Sequence, residues 1–291
     1  MTVARITQRS ITDTALRGLQ GNLSRLQELQ QQLSSGRRIG GPSDDPSGAA
    51  SAMTFRSQRA QGEQHLRNID HATGRLTATD DALTNLSDRL RGVRELMIQS
   101  RSGAINSDAR STLASQISSI RSEVVDIYNT RYLDRPVFGG TTPGVNAVDP
   151  ATGAYLGDDA TIETRISRDA LVRTDVKGTD VAADVLPELL TRIAANTGSG
   201  SLTPADFDEL DAVMSKVLQN LGDVGARAAR VETTKAAVDS SRLDLTSRIS
   251  VNEDVDLPET IMNLQAQQVA YQAALGAAAK IQQTSLVDFL R

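Results

Sequence analysis

Between Pro46 and Pro136 the chain contains no proline, and inside that tract Ile69, Leu76, Leu83, Leu90 and Met97 recur every seven residues. Leu86 and Val93 fill companion positions of the same stripe, so the apolar surface keeps the period of a helix-on-helix seam. Asp45-Pro46 reads as an N-cap followed by proline at the first helical position. Helix throughout residues 47–101 would extend about 80 Å, beyond the span of a compact domain. After an Asn106-Ser107-Asp108 start signal, Leu113, Ile117, Ile120, Val124 and Ile127 supply an antiparallel partner, and the two make a helical hairpin. Aromatic residues are only 3% of the chain and Trp is absent, so aliphatic side chains and Ala must do the packing. That favours narrow bundles over a wide globule.

The ends carry related but weaker stripes. Leu16, Leu19, Leu23, Leu26 and Leu33 occupy alternating heptad positions broken by Gln30, and the helix is expected to stop at Ser34-Ser35-Gly36. Near the C-terminus, Asp256-Leu257-Pro258-Glu259 opens a helix carrying Ile261, Leu264, Tyr271, Leu275, Leu286 and Phe289, interrupted by Gln268, Ala278 and Gln282. Isolated helices of this kind are marginal in water and need an apolar face to bury against. Two readings stay open: the ends pair within one chain, or they order only when many copies assemble.

Between Pro136 and Asp180 glycines space short alternating stretches, with Ile162, Thr164 and Ile166 on one strand face and Val172-Thr174-Val176 repeating the pattern. Helix resumes at Thr203-Pro204-Ala205-Asp206, a capping box with Asp in the Glu place, and runs past Gly222 and Gly225 to about Ile249. The expected fold is therefore mainly α: a long antiparallel helical bundle or coiled coil formed by the N- and C-terminal regions, with a small β-rich inserted domain. The segments are an assembly helix over 1–40, a hairpin over 41–139, the β-rich insertion over 140–180, returning helices over 181–252 and a second assembly helix over 253–291.

The residues offer little chemistry. His65 and His71 are the only histidines, and six apart on a helix they point in different directions. No Cys is available as nucleophile or ligand, and neither G-x-x-x-x-G-K-[ST] nor G-x-S-x-G occurs. The Asp44-Asp45 and Glu253-Asp254-Asp256 clusters precede helix starts, where capping is the better account than a cation. No catalytic, cofactor or metal residue is assigned, and no enzyme is expected. With scattered charge and a net −5, a nucleic-acid partner is not expected. No run reaches the ~20 apolar residues of a membrane span, and the start lacks the apolar stretch of a cleaved secretory signal.

Taken together, several segments resemble one family. Gln32-Leu33-Ser34-Ser35-Gly36-Arg37-Arg38-Ile39, followed by Ser43-Asp44-Asp45-Pro46-Ser47-Gly48-Ala49-Ala50, is similar to the N-terminal hallmark of bacterial flagellins and their junction relatives. So are Asn68-Ile69-Asp70, Val137-Phe138-Gly139-Gly140-Thr141, Val224-Gly225-Ala226-Arg227, and the tract from Asn263 to Leu275 with its Ser285-to-Leu290 ending. Gly36, Arg37, Asp44, Asp45, Pro46, Phe138, Gly139 and Gly140 are the motif residues; Arg135-Pro136 and Pro258 depart from the pattern. The resemblance leans to the hook-filament junction members; filament flagellin is the alternative, and a coiled-coil signalling or adaptor module the alternative from another class. It implies export through the flagellar type III apparatus to an extracellular place in the flagellum. It also implies a cytoplasmic export chaperone on the C-terminal region, self-association into a ring, and a neighbouring hook-associated protein and flagellin as partners. The expected subunit contacts are Leu16, Leu19, Leu23, Leu26, Leu33, Ile261, Leu264, Tyr271, Leu275, Leu286 and Phe289.

Overall fold

The computed structural model describes residues 8–102, 106–142, 144, 146–158 and 160–289, with side chains described within 13–280. The helices are α1 (Gln8–Ser35), α2 (Pro46–Ser100), α3 (Ser107–Tyr128), α4 (Leu186–Ser199), α5 (Pro204–Glu253) and α6 (Leu257–Phe289). The strands are β1 (Arg131–Tyr132), β2 (Arg135–Pro136), β3 (Glu163–Arg165) and β4 (Leu171–Arg173), forming two antiparallel pairs. Two compact units result, one from Gln61–Arg242 and the other from Met1–Ala60 with Leu243–Arg291. The division falls inside α2 and α5, whereas the segmentation expected from the sequence broke the chain at loops.

In the unit of residues 61–242, the heptad stripe of α2 is the core: Ile69, Leu76, Leu83, Leu86, Leu90, Val93 and Met97 are buried. Ile117 and Val124 of α3, Leu190 and Ile193 of α4, and Leu210, Val213, Val217 and Val224 of α5 complete it. Charged pairs set antiparallel registers on the rim, Arg89 Nε to Glu123 at 3.0 Å from α2 to α3 and Arg94 Nε to Asp211 at 2.8 Å from α2 to α5. α3 and α5 begin on the caps their sequences announce: Ala109 N donates to Asn106 Oδ1 at 2.8 Å, and Thr203 N and Oγ1 donate to Asp206 Oδ2 at 2.9 Å. Burial raises the Asp206 carboxyl, but the bonds from Thr203 and Asn196 and the nearby Arg192 outweigh it and hold the pKa below the ordinary value.

The inserted region is less regular than expected. Ile162, Thr164 and Ile166 do face inward, but only three residues on each side form β3 and β4; beyond Arg173 the ladder passes to the Asp175 carboxylate, which accepts from Ile162 N at 2.7 Å. A second hairpin, β1–β2, lies outside the expected insertion; its turn residues Leu133 and Asp134 have φ of 47° and 62°. Sequence reasoning missed it because such turns normally announce themselves with Asn-Gly or Asp-Gly. The few aromatics are concentrated here: Tyr128 and Phe138 meet edge to face at 5.8 Å, and Tyr128 Oη donates to Val181 O at 2.7 Å.

Candidate assembly interface

The unit of residues 1–60 and 243–291 joins α1 to α2 and α5 to α6. At its centre the two connections are tied together. Gly36, with φ +70°, ends α1 in the left-handed turn that favours glycine. The next residues pair with the α5–α6 connection as a short antiparallel bridge, Arg37 opposite Asp254. Arg38 N donates to Glu253 O at 2.7 Å and Val255 N to Gly36 O at 3.1 Å. Asp44, one of the predicted motif residues, accepts from Gly40 N and Gly41 N at 2.9 Å and so folds the loop on itself. Asp45 caps α2 by accepting from Gly48 N at 2.9 Å; that bond, the Ser47 hydroxyl and the Arg38 charge hold its carboxyl below the usual range. Gly48 is confined, since an added Cβ would lie 2.6 Å from Ile39 Cδ1. Both acidic clusters are thus engaged in caps and loop bonds.

From this tie α1 and α6 lie against each other. On α1 the half-buried row is Ala15, Leu19, Asn22, Leu26, Leu29 and Leu33, with Gln32 beside its end, and on α6 it is Leu264, Gln267, Tyr271, Ala274 and Ala278. Both sets step by three and four, as a helix-pair seam requires. Gln267 Nε2 donates to Asn22 O and Oδ1, each at 3.2 Å, so one layer of the seam is polar. Among the predicted contact residues, Leu19, Leu26, Leu33, Leu264 and Tyr271 belong to this seam. Leu16, Leu23, Ile261 and Leu275 do not: Leu16 is 50% exposed and Leu23 40%, and Ile261 and Leu275 are similarly open. The side chains of Leu286 and Phe289 lie outside the described residues.

Sequence reasoning missed several residues. Leu29, Asn22 and Gln267 complete the seam, and Met262 and Val269, seven apart on α6, join the exposed apolar set, Val269 at 66%. Their signal was the seven-residue spacing itself, overlooked beside the stronger leucine stripe. The motif residues Phe138, Gly139 and Gly140 belong to the other unit: Phe138 is buried, and a Cβ on Gly139 would stand 2.6 Å from Pro136 Cγ. They shape the β1–β2 surroundings and take no part in the α1–α6 pair.

Comparison with known proteins matches residues 6–139 to the bacterial flagellin N-terminal helical region and residues 207–290 to the bacterial flagellin C-terminal helical region. Flagellar hook-associated protein 3 of Salmonella typhimurium is 22% identical, over 99% of this chain and all of the relative. Flagellin of Bacillus subtilis is 26% identical, over 95% of this chain and 96% of the relative. In fold, the chain is similar to the flagellar junction protein FlgL of Legionella pneumophila, with a TM-score of 0.60 and 13% identity over 70% of this chain and 100% of that one. FlgL of Bacillus cereus gives 0.51 and 19% over 70% of this chain and 99% of that one. Among the described residues no helix is long and apolar enough to cross a membrane.

Proposed function

The chain belongs to the bacterial flagellin family, and we propose that within it the protein is a structural component of the junction between hook and filament, working through subunit interfaces and not through an active site. The observation that carries this reading is the disposition of apolar surface on the terminal helices. Leu16 and Leu23 on α1, and Ile261, Met262, Val269 and Leu275 on α6, stay exposed after the two helices have paired. Single exposed apolar residues need no explanation, but heptad-spaced rows on both helices of a pair are what further helices would cover.

In this reading the seam residues Leu19, Leu26, Leu33, Leu264 and Tyr271 hold each subunit's ends together, and the outward rows make the contacts between subunits. The pair gains its full stability only when copies close into a ring against a hook-associated neighbour and flagellin. Before that, a cytoplasmic export chaperone would cover the α6 surface, and the type III route would carry the chain out. Full-length similarity to hook-associated protein 3 supports the junction role; similarity to filament flagellin of comparable extent supports the alternative. Immunolabelling of isolated flagella separates them. Label at the filament base alone is the expected result, and label along the whole filament would replace the junction reading by the filament one.

A further inference from the structure

The leucine row of α1 admits two phases against α6. Leu19, Leu26 and Leu33 can be completed by Ala15, Asn22 and Leu29, as the structure has it, or by Leu16 and Leu23. The second choice would bury more aliphatic surface, so hydrophobicity alone does not select the first. At about 100° per residue, Ala15, Asn22 and Leu29 lie about 50° to one side of the Leu19–Leu26–Leu33 row and Leu16 and Leu23 about 50° to the other, so rotating α1 by about half a residue step exchanges the two flanks. Something other than apolar burial must fix the phase.

The tie between the two connections is placed to do this. Its backbone bonds involve Gly36 and Arg38, which follow α1, and Glu253, the last residue of α5, with Val255 in the connection to α6. Side chains then brace it. Arg38 Nη2 donates to Asn252 O at 2.8 Å, and Asn252 Nδ2 donates to Gly48 O at 2.8 Å, linking the end of α5 to the loop and to the first turn of α2. Glu253 is 4% exposed and its carboxylate is bonded to Arg56 of α2. A buried carboxylate held by one guanidinium leaves little freedom for the bridge to slip, because any shift strands the charge.

We propose that Arg38, Asn252, Glu253 and Arg56 are positioning residues that set the rotational phase of the α1–α6 pair, and so decide that the leucine-rich flank Leu16–Leu23 faces neighbouring subunits instead of α6. The consequence for neighbours rests on the assembly reading above; the phase itself does not.

The test exploits a chain without cysteine. Two double-cysteine forms of the full chain, N22C/Q267C for the observed phase and L23C/Q267C for the rotated one, are treated with a short thiol crosslinker. The first is expected to crosslink in preference to the second by about tenfold, the ratio that one hydrogen-bond-sized free-energy difference gives. Adding E253R should bring the two yields to about parity, and the charge swap R56E/E253R should recover most of the preference. N252A supplies a second, smaller perturbation should E253R misfold, with loss of preference again expected. Equal yields in the parent chain, or a preference that survives both E253R and N252A, would overturn the assignment. Failure of the swap to recover the preference in a folded chain would remove the Arg56–Glu253 pair from it. Label found along the whole filament would instead defeat the junction reading and leave the crosslinking result standing.

Discussion

Replacing Leu16 and Leu23 together by Asp separates the outward flank of α1 from its inward seam. In the single chain these side chains are 50% and 40% exposed, so the substitution removes only part of each leucine's burial and places the carboxylates at a wet surface. By area, the covered halves of the two side chains contribute at most about 2 kcal/mol within the single chain. In the assembled state the remaining half of each leucine would be covered. Full burial of a leucine contributes about 1.5–3 kcal/mol, so the two together forfeit about 2 kcal/mol per subunit. Burying two carboxylates without partners adds a penalty of several kcal/mol, and closure of a ring repeats it in every copy. L16D/L23D is therefore expected to lower the melting temperature of the purified chain by no more than about 4–8 °C, yet to abolish swimming when supplied to a deletion strain. Leu26→Asp should behave differently, since Leu26 lies in the seam: amide exchange over α1 should accelerate in the purified chain itself. If L16D/L23D restored motility, or loosened α1 as Leu26→Asp does, the distinction between the two flanks would be wrong.

Other expectations test the bundle. Leu90→Ala empties a fully buried heptad site and should cost about 3 kcal/mol, lowering the melting temperature by roughly 6–12 °C; a calorimetric shift below about 2 °C would contradict the assigned core. Tyr128→Phe removes the phenol from Val181 O in a buried site, and denaturant melts should show a loss of about 1–2 kcal/mol. Asn106→Ala deletes the α3 cap at a cost of about 1 kcal/mol, which Asn106→Asp should restore. Asp45 has a depressed carboxyl pKa, so its contribution is complete above the ordinary value of 3.8 and fades as pH falls through the lower folded value. Asp45→Asn keeps the cap and should flatten that acid limb in melts taken from about pH 5 to pH 2.5; an unchanged limb would assign the acid loss to other groups.

Much of this architecture can be read in the chain because its signals are local. Pro46, Asn106, Thr203 and Asp256 each sit where a helix begins, and Gly36 stands where α1 ends, since capping depends on a few adjacent backbone groups. The α2 stripe is legible because its alternatives are polar: between Leu83 and Leu90 the outward positions are Thr84, Asn85, Asp88 and Arg89. The β1–β2 hairpin is not legible, because Leu133-Asp134 contradicts the usual turn chemistry and the hairpin is held from outside. Tyr132 lies over Gly74 of α2, where a Cβ would come within 2.8 Å of the ring, and Val137 N closes on Thr130 O at 2.9 Å. Tertiary packing outweighed the local preference there.

The α1 phase is not legible in the sequence for a different reason, and it bears on function. A pattern rule chooses the most apolar stripe as the buried one, which on α1 is Leu16, Leu19, Leu23, Leu26 and Leu33. The structure turns part of that stripe outward and places Asn22 and Gln267 in the inner layer, where the Gln267 amide donates to the backbone and side-chain oxygens of Asn22, bonds that no aliphatic neighbour could make. An isolated monomer would gain by the opposite choice. Leaving the better apolar flank uncovered is reasonable for a chain whose final state includes neighbours, because surface buried within the subunit cannot also bind them. It also explains why α1 and α6 need a polar tie at Arg38, Asn252 and Glu253: a pair that holds back part of its hydrophobic surface must be oriented by directional bonds.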